Sequence, residues 1–336
     1  MRRRAPEVLV TGGAGFLGGA LVARLAASGV RVRATVHRTA APRGLANVEW
    51  LAADLARPED CARAVGGVER VFHCANVSVG AAATVADPLA MVTPNVVMNA
   101  QLLDAAWRAG VARVVFLSSS VVYPDVGARP VREDEGRDGE PHPAYHAVGG
   151  MKRYAEELCA VYATKLPRTM PCTVIRPANV YGPGEDFDPA TGHVVAALVR
   201  KVVERRRPLD VWGTGDEVRD LLYVDDFVDG VLAAARLEDP LVVLNVGSGA
   251  PVTVREILAA ILAADGWDRR DAAPTFDPSR PRTIPARVLD VTAARTRCGF
   301  APRVGLDEGI RRTVAWWRTR VRPAVAPRQE VRVAHA

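Results

Sequence analysis

Val8-Leu9-Val10-Thr11-Gly12-Gly13-Ala14-Gly15-Phe16-Leu17-Gly18 is the stretch that decides the fold. Its apolar start reads as a short strand, and Leu21 to Ala27 beyond it carries helical apolar spacing, with Gly29 where a C-terminal cap belongs. Between the two, Gly12-x-x-Gly15-x-x-Gly18 supplies a tight turn, a place for backbone to approach a pyrophosphate, and a close helix–sheet contact. The free N–H groups of the helix start then face the phosphates. Strand, turn and helix in this order imply a bound dinucleotide held by Thr11, Gly12, Gly15, Phe16, Leu17 and Gly18.

The residues after the second expected strand select the dinucleotide. An acid there accepts from the ribose 2′-hydroxyl, whereas an arginine suits a 2′-phosphate. The segment reads Arg33-Ala34-Thr35-Val36-His37-Arg38-Thr39, without an acid. His37 and Arg38 therefore favour NADP, with NAD as the alternative. Asp54 is placed to accept from the adenine amino group.

Outward from this motif, β-like runs alternate with helical ones: Val30 to Val36, Val71-Phe72-His73 and Val114 to Leu117, with a helix over Asn95 to Ala109 closed by Gly110. That alternation predicts an α/β fold, a doubly wound parallel sheet of the Rossmann kind. After Gly182 the texture changes, with Pro183, Gly184, Pro208, Gly213 and Gly215 punctuating shorter elements before helices at Val254 to Ala264 and Leu306 to Trp317. The expected organisation is a dinucleotide-binding domain over 1–182, to which later segments return. A smaller C-terminal α/β substrate lobe follows over 183–317, and then a disordered tail over 318–336.

Composition narrows the class. The 336 residues are 49% hydrophobic and 24% charged, an ordinary globular balance, and no apolar run approaches the ~20 residues of a membrane span. The basic start Met1-Arg2-Arg3-Arg4 is followed by Glu7 and glycines, which interrupt a signal-peptide core, so the expected location is cytoplasmic. The net charge of +6 comes from scattered arginines, with only Lys152, Lys165 and Lys201 as lysines. It points to a phosphorylated ligand rather than to nucleic acid. Cys61, Cys74, Cys159, Cys172 and Cys298 lack metal-ligand spacing and read as reduced thiols with no metal.

Further motifs carry a resemblance. Val71-Phe72-His73-Cys74-Ala75, Asn95, Ser118-Ser119-Ser120-Val121-Val122-Tyr123, Arg176-Pro177-Ala178-Asn179-Val180-Tyr181-Gly182-Pro183 and Arg219-Asp220-Leu221-Leu222-Tyr223-Val224-Asp225-Asp226 follow the glycine motif in order. With it, they resemble the extended short-chain dehydrogenase/reductases, the nucleotide-sugar epimerases and dehydratases, over roughly Val8 to Trp317. Tyr123-Pro124, Gly182 to Pro189, His193-Val194-Val195, Val211 to Gly215 and Arg280 to Asp290 are most similar to the GDP-L-fucose synthases within that group. The resemblance implies Leu55, Ala75, Asn95, Lys152 and Pro177 at the cofactor. It implies Asn179, His193, Lys201, Trp212, Arg219 and Arg280 around a GDP-linked sugar, and a homodimer through the helices starting near Asn95 and Lys152.

The same resemblance implies a catalytic Ser, Tyr and Lys acting at sugar C4, with the Lys four residues after the Tyr. Ser119 and Lys152 match, but four residues before Lys152 stands Val148. Either Tyr145 serves, with Gly149-Gly150 marking an insertion that distorts the helix start, or Val148 replaces the tyrosine and Tyr145 or His146 reaches in from one turn earlier. In a regular helix Tyr145 and Lys152 lie ~10 Å apart along the axis. The family's epimerising histidine matches His193, whereas its cysteine is Val121, which neither gives nor takes a proton. His193 is then either a lone acid/base or a hydrogen-bonding group. The implied reaction is hydride transfer at C4 in a reductase, 4-epimerase or dehydratase on a GDP-, UDP- or dTDP-sugar; the rival is a dinucleotide sensor without catalysis.

Overall fold

The computed structural model describes residues 6–78, 87, 89–188, 192–279 and 284–320. Val8–Thr11 (β1), Val32–Val36 (β2), Val48–Ala52 (β3), Arg70–His73 (β4), Arg113–Leu117 (β5), Cys172–Pro177 (β7) and Leu241–Val246 (β11) form one parallel sheet, ordered β11-β7-β5-β4-β1-β2-β3. Successive strand residues point to opposite faces, and here they enter two separate cores. Leu9, Val71, Val114, Phe116 and Val174 meet Cys61, Leu102 and Cys159 from the helices Pro58–Val65, Val92–Arg108 and His146–Thr164. Val10, Phe72, Val115 and Ile175 meet Leu21 and Phe227 from the helices Phe16–Ala27 and Val224–Ala234. Burial of each large apolar chain contributes roughly 1.5–3 kcal/mol, so the continuous apolar runs that suggested strands are the residues that join the layers.

Order reverses between β1 and β4, the place where a doubly wound sheet opens a crevice at its strand C-termini. Gly29 and Gly110, with φ of 81° and 74°, close the helices on either side of that reversal as their caps require. Pro130–Val131 (β6), Asn179–Tyr181 (β8), Val218–Tyr223 (β10), Pro251–Thr253 (β12) and Ala286–Leu289 (β14) build a second sheet, and Asp210–Trp212 (β9) pairs with Thr275–Asp277 (β13). The second sheet thus takes β6 and β8 from before residue 183, while β11 returns to the first. A simple cut at 182 separates neither.

The last helix runs Leu306–Arg318, one residue past the expected boundary, because Arg318 Nη2 donates to Asp265 O at 2.8 Å and Asp265 Oδ1 at 2.6 Å. The rest of the expected tail, 321–336, lies outside the described residues. Among the described residues no helix is long and apolar enough to cross a membrane.

Candidate active site

The glycine turn is shaped by contacts that exclude side chains. Gly12 has φ 66°, and a Cβ there would lie 2.8 Å from Ala75 Cα; a Cβ on Gly18 would lie 2.3 Å from Gly12 O. The helix begins at Phe16 with Gly15 as N-cap and no side chain closing it, so its first N–H groups stay open to an anion. Cofactor phosphates fit this cradle.

Behind the turn runs a buried polar chain. Thr11 Oγ1 lies 2.8 Å from His73 Nδ1 and accepts from the backbone N–H of Cys74 and Ala75 at 3.1 and 3.0 Å. His73 Nε2 lies 2.9 Å from Asn99 Oδ1. Burial, with the charge of Lys152, lowers the His73 pKa to about 3, so the ring is neutral. Since Asn99 Oδ1 only accepts, Nε2 carries the proton and Thr11 donates to Nδ1. Asn95 clasps the adjoining loop, accepting from Val77 N and donating to Val77 O, both at 2.9 Å. Thr11 and Asn95 therefore shape the crevice wall from within.

At the second-strand end, His37 and Arg38 are exposed, while Arg33 is spent on Glu49 and on the carbonyls of Arg63, Ala64 and Gly66. Asp54 is half-buried past β3, its Oδ1 accepting from Ala56 N at 3.1 Å, and Leu55 packs in the core.

The helix His146–Thr164 fixes the end of β5. Lys152 Nζ donates to Leu117 O at 3.0 Å and lies 5.1 Å from the Phe116 ring centroid. One turn on, Glu156 accepts from Ser118 Oγ and pairs with Arg176 at 2.6 Å, both charges nearly sealed from water. Arg176 also donates to Tyr123 OH at 3.0 Å and Glu133 O at 2.8 Å. Between these anchors Ser119 is half-buried at the crevice, its Oγ accepting from Val121 N at 3.3 Å. Burial lowers the Lys152 pKa to about 8, against the opposing pull of Glu156. Glu156 was not singled out from sequence, although its spacing of four from Lys152 puts both on one helix face.

The helix carrying Lys152 is regular from His146, and Tyr145 is its N-cap. The expected distortion at Gly149-Gly150 is thus absent. Gly149 is there for contact, since a Cβ would lie 2.6 Å from both Val121 O and Pro141 Cβ. Val148 occupies the position one turn before Lys152, and Tyr145 stands roughly 10 Å from Lys152 along the axis. The Tyr145 phenol is near enough to Arg219 to raise the arginine's pKa, which burial lowers and Glu217 also raises.

Arg219 Nη1 donates to Ile284 O at 2.8 Å, and Arg219 is in register with the buried Arg287 of β14. Asn179 is half-buried beside β10, just beyond Pro177, and Trp212 is 40% exposed. Lys201 is tied to Asp210 by contacts of 2.8 and 2.9 Å. His193 lies 3.1 Å from the buried Glu185. Arg280 and Pro189 lie outside the described residues.

Residues 8–247 match a single family description, which settles what these elements amount to. The chain belongs to the NAD dependent epimerase/dehydratase family. Its relatives in that family include a GDP-L-fucose synthase of Azorhizobium caulinodans, 28% identical over 94% of this chain and 97% of that one. A UDP-glucose 4-epimerase of Mycolicibacterium smegmatis is 32% identical over 94% and 99%. Among solved structures, the UDP-glucose 4-epimerase of Thermotoga maritima with UDP-glucose superposes with a TM-score of 0.83, at 29% identity over 94% of this chain and all of that one. The family is thus one of NAD-dependent enzymes that process sugars carried on nucleotides.

Proposed function

We propose that this protein transfers hydride at C4 of a nucleotide-linked sugar, with NADP preferred over NAD and a GDP-linked deoxysugar as substrate. The observation that carries the reading is that Lys152 Nζ donates to Leu117 O at the end of β5, two residues before Ser119, at the same C-terminal edge of the parallel sheet as the glycine turn. A bound nicotinamide would supply the hydride acceptor or donor. Lys152 presents a charge at the crevice that favours ionisation of a neighbouring hydroxyl, and Ser119 offers its Oγ to the sugar O4. With Val148 at the usual tyrosine position, the O4 proton passes to Tyr145, which lies within electrostatic reach of Arg219. His193 serves as a lone acid/base at the carbon beside the ketone, because Val121 leaves no second one. Exposed His37 and Arg38 support the 2′-phosphate of NADP. The resemblance to GDP-L-fucose synthases at Gly182 to Asp188 and at His193 supports the GDP-sugar, with UDP- and dTDP-sugars as the other carriers, and supports a homodimer.

The test offers GDP-, UDP- and dTDP-hexoses and their 4-keto-6-deoxy forms with NADPH, NADP, NADH or NAD, and follows products by NMR. Turnover of one carrier, lost by ~10²–10⁴-fold in both Lys152→Ala and Ser119→Ala, is the expected result. Near-wild-type rates in either variant overturn the reading. Val148 favours a second one, a dinucleotide-binding sensor without catalysis. Such a protein would gain thermal stability from cofactor but nothing further from any nucleotide sugar.

A further inference from the structure

Glu185 is a carboxylate sealed inside the protein next to an imidazole that is not. Its side chain is 2% exposed while that of His193 is 71% exposed, and Oε1 lies 3.1 Å from His193 Nδ1. Its Oε2 is buried without a hydrogen-bond donor among the described residues. Removing a carboxylate from water costs several kcal/mol unless it is paired. A solvated histidine is a weak reason to keep one there, unless the imidazole is the group being served.

The surroundings hold the pair in place. Phe187, two residues on, stacks on Trp317 with centroids 4.3 Å apart and planes at 6°, and its carbonyl accepts from Arg200 Nη1 at 3.2 Å. On the other side, a Cβ at Gly184 would lie 3.7 Å from the Phe16 ring, so the loop rests against the glycine turn. His193 is the N-cap of the helix Val194–Val203, yet its side chain makes no capping bond. The nearby charges are accounted for: Asp186 is exposed on the loop, Arg200 pairs with Glu204 at 2.8 Å, and Lys201 pairs with Asp210.

We propose that Glu185 is the positioning residue of His193, accepting its Nδ1–H and thereby presenting Nε2 to the sugar. This rests on the reading of His193 as the acid/base beside a 4-keto group. Nε2 takes the proton of the carbon next to the ketone: the C–H bond breaks, an N–H bond forms, and the electron pair passes into a substrate enolate. Return of the proton reverses each change. Glu185 remains ionised throughout and offsets the imidazolium charge, as the third member of a catalytic triad does. In support, the bond to Glu185 raises the His193 pKa above the ordinary histidine value, and burial raises that of Glu185 against the pull of His193.

The experiment uses the full-length protein with ¹⁵N-labelled histidine, His193→Asn identifying the resonance among the six histidines. The midpoint of the His193 titration is read by NMR in wild type, Glu185→Gln and Glu185→Asp. Deuterium uptake from D₂O is followed in the same proteins with GDP-, UDP- and dTDP-4-keto-6-deoxyhexoses. The expected result is a lower midpoint in Glu185→Gln and exchange slowed about a hundredfold at unchanged KM, with partial rescue by Glu185→Asp. An unmoved midpoint, or exchange that Glu185→Gln leaves intact, overturns the proposal alone. Wild-type protein that exchanges no substrate overturns the role of His193, and this proposal with it.

Discussion

The dinucleotide half of the site and its sugar half are finished to different degrees. In the first, Thr11, His73 and Asn99 form a closed hydrogen-bonded chain, and Gly12 and Gly18 leave no room for a methyl group. In the second, Glu185 Oε2 and Arg287 Nε and Nη1 are buried without partners among the described residues, and Trp212 is exposed. Polar capacity buried and left open in this way is uncommon in a finished protein interior. The cofactor crevice is built by the fold alone, whereas the lobe proposed for the sugar keeps buried polar atoms without partners among the described residues.

If that contrast is right, damage to the finished half is felt first as lost stability. Arg176→Leu strips Glu156 of its partner inside the protein and cuts Tyr123 OH from its donor. Loss of one member of a buried ion pair costs about 3–5 kcal/mol, which urea unfolding should register. A loss below about 1 kcal/mol would mean that water reaches Glu156, and that the framework under β5 is looser than its contacts imply.

Damage to the sugar half should leave folding intact and strike turnover. Tyr145→Phe is expected to lower kcat about a hundredfold with little change in the unfolding midpoint, the effect of losing a general acid/base. Val148→Tyr added to that variant places a phenol one turn from Lys152 and should restore part of the rate. If Tyr145→Phe is silent, Tyr145 carries no proton, and the contrast sharpens into a sugar half in which this phenol takes no part in catalysis.

How far each half could be read beforehand follows from the same contrast. Gly12, Gly15 and Gly18 announce the crevice because backbone geometry is local, and a turn that excludes Cβ atoms leaves its mark within seven residues. The strands at Val71 and Val114 were legible for a similar reason, since strands buried on both faces must be continuously apolar. Glu185 and Arg287 could not be read in this way. Each owes its environment to elements far along the chain, Trp317 behind the Glu185 loop and Tyr123 across from Arg287. No spacing rule connects such positions. Gly149 shows the same limit: a glycine pair in a helix is compatible with distortion, and only the approach of Val121 O and Pro141 reveals a contact.

The smallest expected effect, taken per pH unit, concerns Lys152, which belongs to both halves. Its folded pKa of about 8 lies below the ordinary value of 10.5 because burial disfavours the charge. Below pH 8 the ammonium is charged folded or unfolded, and its burial penalty is fully present. Between 8 and 10.5 this site binds more protons in the unfolded chain, so its own contribution to stability rises with pH, by at most about 1.4 kcal/mol per unit. Turnover moves the other way, since chemistry that uses the ammonium fades about tenfold per unit above pH 8. Cys61 and Cys74, whose thiols burial raises to about 12, act in the opposite sense above pH 9. The share of Lys152 is therefore the difference in stability between wild type and Lys152→Met, which should rise with pH while turnover falls. Parallel curves would mean that the charge at the end of β5 is not held by this lysine, and the two halves would then share no titrating group.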